Sequence, residues 1–174
     1  YASFTFNLNR NITVVRGNRG TGKTTLYDMI ADYTRLKDKS GVNISCKKDC
    51  VALVDIDWKN QLNGISDSIV FIDEGAAYIK TPEFAKTVKD SDNYYIIFSR
   101  ESLHDLPYSV DEIYEIKPSG KYHKFVKMFK SDKYHIYSSK KERKNFQFDI
   151  LLTEDSKSGY QFYKNYFDGT AVVC

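Results

Sequence analysis

One stretch near the N-terminus combines glycines, a lysine and threonines at a spacing that can bind phosphate. Glycine at position 17 is followed by four residues and then by glycine, lysine and threonine. The hydrophobic pattern predicts a buried strand just before this stretch, over residues 12–15, and a helix after it, over residues 24–36. In that setting the loop amides and the helix N-terminus converge on phosphate oxygens. We therefore predict a nucleotide site and call residues 17–25 the phosphate loop: Gly17, Asn18, Arg19, Gly20, Thr21, Gly22, Lys23, Thr24 and Thr25.

Two side chains of the phosphate loop are expected to take part in the chemistry. Lys23 can place a point charge on the outer phosphates, and the hydroxyl of Thr24 is a ligand for Mg²⁺. The alternative is an ordinary glycine-rich turn before a helix. The correct flanking elements on both sides favour the nucleotide site.

A second stretch places two carboxylates at the end of an apolar run. Residues 69–72 are four consecutive large apolar residues, which predict a strand buried on both faces of a parallel sheet. Asp73 and Glu74 follow it, at the end of the strand where ligands bind in open α/β sheets. Asp73 can hold magnesium, and Glu74 can orient or deprotonate the attacking water. Acidic residues at a helix N-terminus are the alternative, but the phosphate loop upstream favours a joint magnesium–phosphate site.

The rest of the pattern predicts an α/β fold in three parts. Residues 1–8 alternate and should form a hairpin with the strand at 12–15, and a helix over 75–89 should restart at Pro82. Short alternating strands late in the chain predict an antiparallel extension. The predicted parts are an α/β core over 1–116, a basic antiparallel β extension over 117–145, and a strand–loop–helix–strand segment over 146–174.

Composition narrows the class of protein. The chain has 174 residues, enough for one domain of ordinary size with a real core. Its net charge of +3 is too small to indicate a nucleic-acid-binding protein by itself, and its three cysteines predict no disulfide framework. No apolar run is long enough for a membrane span and no signal peptide is visible, so we expect a cytoplasmic protein without a membrane partner. Both ends look cut, which predicts a fragment of a longer protein.

The two motifs resemble the Walker A and Walker B motifs of P-loop NTPases. The glutamate beside Asp73 is similar to that of the additional-strand, catalytic-glutamate division, which includes AAA+ and ABC proteins. This resemblance implies a mostly parallel sheet in the order 5-1-4-3-2, built from strands near 112–116, 12–15, 94–98, 69–72 and 51–54. It also implies a polar sensor at the tip of the strand at 94–98, where Ser99 stands, followed by Arg100. ATP rather than GTP is implied too, with Mg²⁺ as the metal.

Three functions compete at this point. The first is an ATPase that switches an attached or partner domain, with Lys23, Glu74 and Ser99 as catalytic residues. The second is a nucleotide-sensing module that hydrolyses little, and the third is a small P-loop kinase. Glu74 favours hydrolysis over sensing, while the sequence shows no arginine cluster of the kind that kinases use. A protein partner or a second copy could supply an arginine finger.

Residues 117–144 interleave lysines with aromatic residues, as a surface for single-stranded nucleic acid would. Lysines on the solvent-facing side of ordinary strands also protect an exposed sheet edge. We prefer the second interpretation, so nucleic acid is a partner that the sequence allows and does not favour. The three histidines are scattered and are interpreted as surface or packing residues: His104, His123 and His135.

The C-terminal segment resembles, over about 25 residues, the opening of a Toprim domain. An apolar strand over 146–152 runs into an acidic loop with Glu154 and Asp155, then a helix over 160–167 and an apolar end. The resemblance implies a nuclease-like module with a later Asp-x-Asp pair beyond Cys174. A last αβ unit with an acidic loop is an equal alternative.

Overall fold

The computed structural model describes residues 2–54, 56–129, 150–151, 160–161, 164–165 and 172–173. The chain divides into two compact units, Tyr1–Asp132 and Lys133–Cys174, and each is described by itself. The first unit is α/β, as the sequence predicts. Among the described residues, no helix combines the length and the apolar character needed to cross a membrane.

A seven-stranded, mostly parallel sheet forms the centre of the first unit. Its spatial order is β1-β7-β6-β2-β5-β4-β3, and every neighbouring pair is parallel except β6 with β7. The strands are β1 Ser3–Thr5, β2 Ile12–Arg16, β3 Cys50–Leu53, β4 Ile69–Ile72, β5 Tyr94–Phe98, β6 Ile113–Ser119 and β7 Tyr122–Lys127.

The first unit contains three described α-helices and three 3-10 turns. They are α1 Lys23–Leu36, α2 Trp58–Asn63 and α3 Pro82–Asp90, with 3-10 turns at Lys37–Ser40, Ala77–Lys80 and Val110–Glu112. The predicted restart at Pro82 is confirmed. The Thr81 hydroxyl accepts a hydrogen bond of 3.2 Å from the amide of Phe84, and proline at the first helical position has no amide to satisfy.

Two cores cover the two faces of the sheet. Along β4, Val70 and Ile72 pack into the core that contains Phe84 of α3, while Ile69 and Phe71 pack into the core of α1. All four residues of β4 are buried, which confirms the strand predicted to be buried on both faces. The carboxyl ends of β2, β4 and β5 therefore meet at one edge of the sheet, where the predicted site residues follow.

The order of the whole sheet is not the five-strand order predicted from sequence, because the sheet has seven strands. Strands β6, β2, β5, β4 and β3 lie side by side, and β7 and β1 extend the sheet beyond β6. The predicted hairpin between residues 1–8 and β2 is wrong, because β1 pairs in parallel with β7. That pairing lets Phe4 stack on His123 and Phe6 stack on Phe125, with ring centroids 4.5 and 4.3 Å apart. Burial of these rings favours the distant partner over the local turn.

The second unit is described in a few short pieces. Strand β8, Ile150–Leu151, pairs in parallel with β9, Val172–Val173. Residues 160–161 and 164–165 are helical, within the predicted helix. Glu154 and Asp155 of the predicted acidic loop lie outside the described residues, as do residues 130–145 of the predicted antiparallel extension.

Candidate active site

The phosphate loop turns through glycines whose backbone other residues rarely adopt. Gly20 and Gly22 have φ angles of +80° and +98°, so a side chain at either position would be strained. The Thr21 hydroxyl donates to the carbonyl of Asn18 at 3.2 Å and closes the loop from within. Gly22 then starts α1, and within the described residues no side chain caps this helix end. The first amides of α1 are therefore directed toward the loop with their positive end unshielded.

Lys23 is held inside the loop. Its side chain is 6% exposed, and its Nζ donates to the carbonyls of Gly17 at 2.5 Å and Asn18 at 2.9 Å. Its ammonium lies 4.0 Å from Oε2 of Glu74. The pKa of the Lys23 ammonium lies below its ordinary value. Burial is the largest cause; the Glu74 carboxylate opposes it by raising the pKa, and the Arg100 guanidinium lowers the pKa further. The lysine is thus a buried cation whose hydrogen bonds go to loop carbonyls.

Glu74 lies between two cations from different parts of the chain. Its Oε2 faces Lys23, and its Oε1 forms an ion pair with Nε of Arg100, which is half exposed just after β5. Glu74 is itself 31% exposed, so its side chain remains partly accessible to solvent. This contact was not predicted from the sequence, which showed only that Arg100 follows Ser99. The sheet order explains the contact, because β5 lies between β2 and β4. Arg100, just after the end of β5, therefore lies between the ends of β2 and β4.

Ser99, the predicted sensor, is buried at the end of β5. Its hydroxyl donates to the carbonyl of Glu101 at 3.1 Å and accepts from the amide of Glu101 at 3.1 Å. The Ser99 hydroxyl therefore donates its proton to a hydrogen bond within the turn that contains Arg100. Any influence of Ser99 on the site would act through the position of that turn.

The predicted magnesium ligands stand on two elements. Thr24 is exposed in the first turn of α1, and Asp73 is half-buried directly after β4. In the described part of the chain, no three His, Cys, Asp or Glu side chains are grouped as a metal cage. Magnesium is usually held by one or two carboxylates together with phosphate oxygens and waters. A hydroxyl and a carboxylate beside a phosphate loop fit that donor set.

Arg16, at the end of β2, binds to residues of the segment that follows β5. This residue was not identified from the sequence. Its Nη2 donates to Ser102 Oγ at 3.2 Å, to the Glu101 carbonyl at 3.4 Å and to the Tyr108 hydroxyl at 3.4 Å. It thereby ties the segment after β5 to the strand that enters the phosphate loop. Its position directly before Gly17 was the signal, but its partners are 85 to 92 residues away along the chain.

His123 and Phe4 form one wall of the phosphate loop and were also missed. A Cβ placed on Gly22 would lie 3.2 Å from Cδ2 of His123 and 3.4 Å from Cε1 of Phe4. The Nδ1 atom of His123 is buried, with no hydrogen-bond partner among the residues that the structure describes. His123 was predicted to be a surface or packing residue, and its stack on Phe4 agrees with packing. Its place beside the loop follows from β7 joining the sheet next to β1.

Comparison with known proteins gives a family. Residues 2–115 match the herpesvirus family described as Origin of replication binding protein. No curated protein and no solved structure matches the chain.

This match overturns the family assigned from sequence. The resemblance to P-loop NTPases of the catalytic-glutamate division named the wrong family, while the weaker resemblance to a Toprim domain concerns residues outside the match. The P-loop assignment relied on a few residues at a glycine turn and at a strand end. Such patterns report local chemistry, and the same local chemistry recurs in unrelated families. The match covers residues 2–115 of 174, about two thirds of the chain, and the chain therefore belongs to the herpesvirus origin of replication binding protein family.

Proposed function

We propose that this chain binds Mg-ATP in the phosphate loop and hydrolyses it, as part of a protein that acts on nucleic acid. One observation carries the proposal: the Lys23 ammonium is buried inside a glycine-turned loop, 4.0 Å from the carboxylate of Glu74. A phosphate-binding cation and a candidate base thus lie together at one edge of the sheet.

The binding step follows from where the donors are. The amides of the loop and of the first turn of α1 supply directed hydrogen bonds, and Lys23 supplies a fixed charge. Phosphate oxygens would replace the carbonyls of Gly17 and Asn18 as partners of Nζ. Since an ammonium bonds more strongly to an anionic oxygen than to a neutral one, that exchange favours binding. When bound, Mg²⁺ would neutralise charge on the phosphate oxygens, with Thr24 and Asp73 as its protein ligands.

The hydrolytic step is assigned to Glu74. Its side chain is partly exposed, Oε1 is paired with Arg100, and Oε2 lies 4.0 Å from Lys23, so the two cations orient the carboxylate. A carboxylate fixed beside the outer phosphate can align a water and accept its proton. Ser99 would keep Arg100 in place through the turn at Glu101. Arg100 thus puts one arginine at the site in cis, beside any that a partner chain supplies.

The ion pair between Glu74 and Arg100 favours a second candidate. A glutamate engaged by two cations is less free to act on water, so the chain could sense nucleotide and hydrolyse little. In that function the exchange of partners at Lys23 and Glu74 would itself be the signal.

Nucleic acid is the macromolecular partner that we propose. The family is described by its binding to an origin of replication, which is a nucleic-acid sequence. The proposal reverses the preference drawn from sequence, where lysines on 117–144 were interpreted as edge protection.

Phosphate release from ATP by the 174-residue chain tests the proposed function. We expect turnover that requires Mg²⁺, stops with a chelator and needs no acceptor molecule. Release of phosphate without an acceptor also separates hydrolysis from kinase activity. Tight ATP binding without measurable release would select the sensing function, and absence of ATP binding would contradict both.

A further inference from the structure

One face of the sheet edge is polar, basic and exposed. Along β7, Tyr122, Lys124 and Val126 are exposed, while His123 and Phe125 between them pack inward. Successive residues of a strand point to opposite faces, so the exposed three share one face. Phe125 belongs to the core of α1, which places the exposed three on the face opposite α1.

Neighbouring strands extend the same face. Lys117 and Ser119 of β6 are the register partners of Lys124 and Tyr122, and both are exposed. Ser3 and Thr5 of β1, also exposed, are paired with Tyr122 and Lys124. Partners in register point to the same side of a sheet. We call this surface the edge face: Ser3, Thr5, Glu115, Lys117, Ser119, Tyr122, Lys124 and Val126.

The edge face carries a net positive charge, and the ring of Tyr122 on this face is exposed. Lys117 and Lys124 outnumber Glu115, the one acid on this face, and Lys121 lies in the turn beside it. Glu115 forms an exposed ion pair of 3.0 Å with Lys117, which is a weak interaction in water. Tyr122 is 56% exposed, and Nζ of Lys121 lies 5.3 Å from its ring centroid. Strand β7 is paired on both sides, by β1 and β6, so its lysines do not protect an open sheet edge.

We propose that the edge face binds single-stranded DNA, with Lys117 and Lys124 on phosphates and Tyr122 stacked on a base. Lysines that follow a backbone, next to aromatic rings that accept any base, are the means by which proteins hold single strands. Serine and threonine hydroxyls on β1 can add contacts to phosphate oxygens. The inference rests on the proposed function for its class of partner, and it names where on this chain that partner is held.

The edge face and the wall of the phosphate loop lie on opposite faces of β7. His123, between Tyr122 and Lys124, contacts the position of Gly22. The same strand therefore presents one face to DNA and the other to the site where nucleotide would bind.

The test measures binding of a labelled, mixed-sequence single-stranded DNA to the full chain by fluorescence anisotropy over a range of salt. The Lys117→Gln/Lys124→Gln variant should bind more weakly, and its salt slope should fall by about 0.7 for each phosphate that a lysine no longer neutralises. The matched control is Lys86→Gln/Lys89→Gln, which removes two exposed lysines from α3 and should leave the slope unchanged.

A second pair of variants tests the base contact. Tyr122→Ala should weaken binding about tenfold or more, while Tyr122→Phe keeps the stacking ring and should bind like the wild type. Thermal melting and ATP turnover of each variant report whether the fold is retained.

The inference is overturned if Lys117→Gln/Lys124→Gln and Tyr122→Ala both bind single-stranded DNA like the wild type. It is overturned equally if the α3 control weakens binding as much, or if the wild-type chain does not bind single-stranded DNA. Tighter binding of duplex with no effect of Tyr122→Ala would also reject the single-strand assignment. Because ATP turnover is measured on the same samples, a failed edge face and a failed ATPase give different results.

Discussion

The phosphate loop and the edge strands β1 and β7 are assembled in opposite ways. Within the loop, Lys23 is held by carbonyls five and six residues before it. At the edge, Phe4 stacks on His123 and Phe6 on Phe125, so each stack joins residues about 119 positions apart. The two regions meet where His123 lies against Gly22. The groups expected to touch phosphate are therefore local in the chain, whereas the wall that shapes their space is not.

The largest expected effect is in the phosphate loop. Lys23→Ala removes a buried cation whose role we assign to the phosphates, and we expect ATP affinity to fall about 100-fold or more. Equilibrium binding of a fluorescent ATP analogue measures this, with Lys86→Ala on the exposed side of α3 as the control. Equal ATP affinity in the two variants would show that Lys23 of the phosphate loop does not bind the nucleotide.

The second-largest expected effect tests whether the edge strands β1 and β7 pack as part of the core of α1. Phe125 stacks on Phe6 and packs into the core of α1. Phe125→Ala should lower the free energy of unfolding by about 2–3 kcal/mol, somewhat less than for a fully buried phenylalanine. Tyr122→Ala on the exposed face should change it by less than about 0.5 kcal/mol. Chemical denaturation measures both, and equal stability of the two variants would mean that the edge folds as a separate appendage.

The smallest effect is at the contact between the two regions. Gly20→Ala and Gly22→Ala both place a side chain at positive φ, but nothing lies within 4 Å of a Cβ on Gly20. The Cβ at Gly22 additionally presses on His123, which is stacked on Phe4 and has little freedom to move. We expect Gly22→Ala to bind ATP about fivefold more weakly than Gly20→Ala, a difference of about 1 kcal/mol.

Replacing His123 separates the two causes. In a His123→Ala background the extra penalty at Gly22 should disappear, while the strain from positive φ remains. A difference that persists would show that the loop, and not its wall, accounts for it.

The sequence predicted the local part of this molecule well. The strand, glycine turn and helix around Lys23 and the doubly buried strand before Asp73 are confirmed, because each has its pattern within a few consecutive residues. The pairing of β1 with β7, the wall at His123 and the ion pair of Glu74 with Arg100 were not predicted. Each depends on which distant strands become neighbours, and alternation of residues gives the face of a strand without naming its partner.

The family was missed for a related reason. A glycine-rich loop and two carboxylates indicate phosphate chemistry wherever they occur, so they do not distinguish one family from another. The match over residues 2–115 extends well beyond the two motifs: it includes the strands β1, β3 and β5 and ends within β6.

Turnover by Glu74→Gln tests the central claim, that this carboxylate acts on water beside phosphates held by Lys23. The substitution keeps the shape of the side chain and removes its charge. The matched control is Glu83→Gln, which alters an exposed glutamate of α3 paired with Lys59. We predict that Glu74→Gln binds ATP and loses about 10²- to 10⁴-fold in phosphate release, while Glu83→Gln releases phosphate like the wild type. Equal release by wild type and Glu74→Gln would contradict the account.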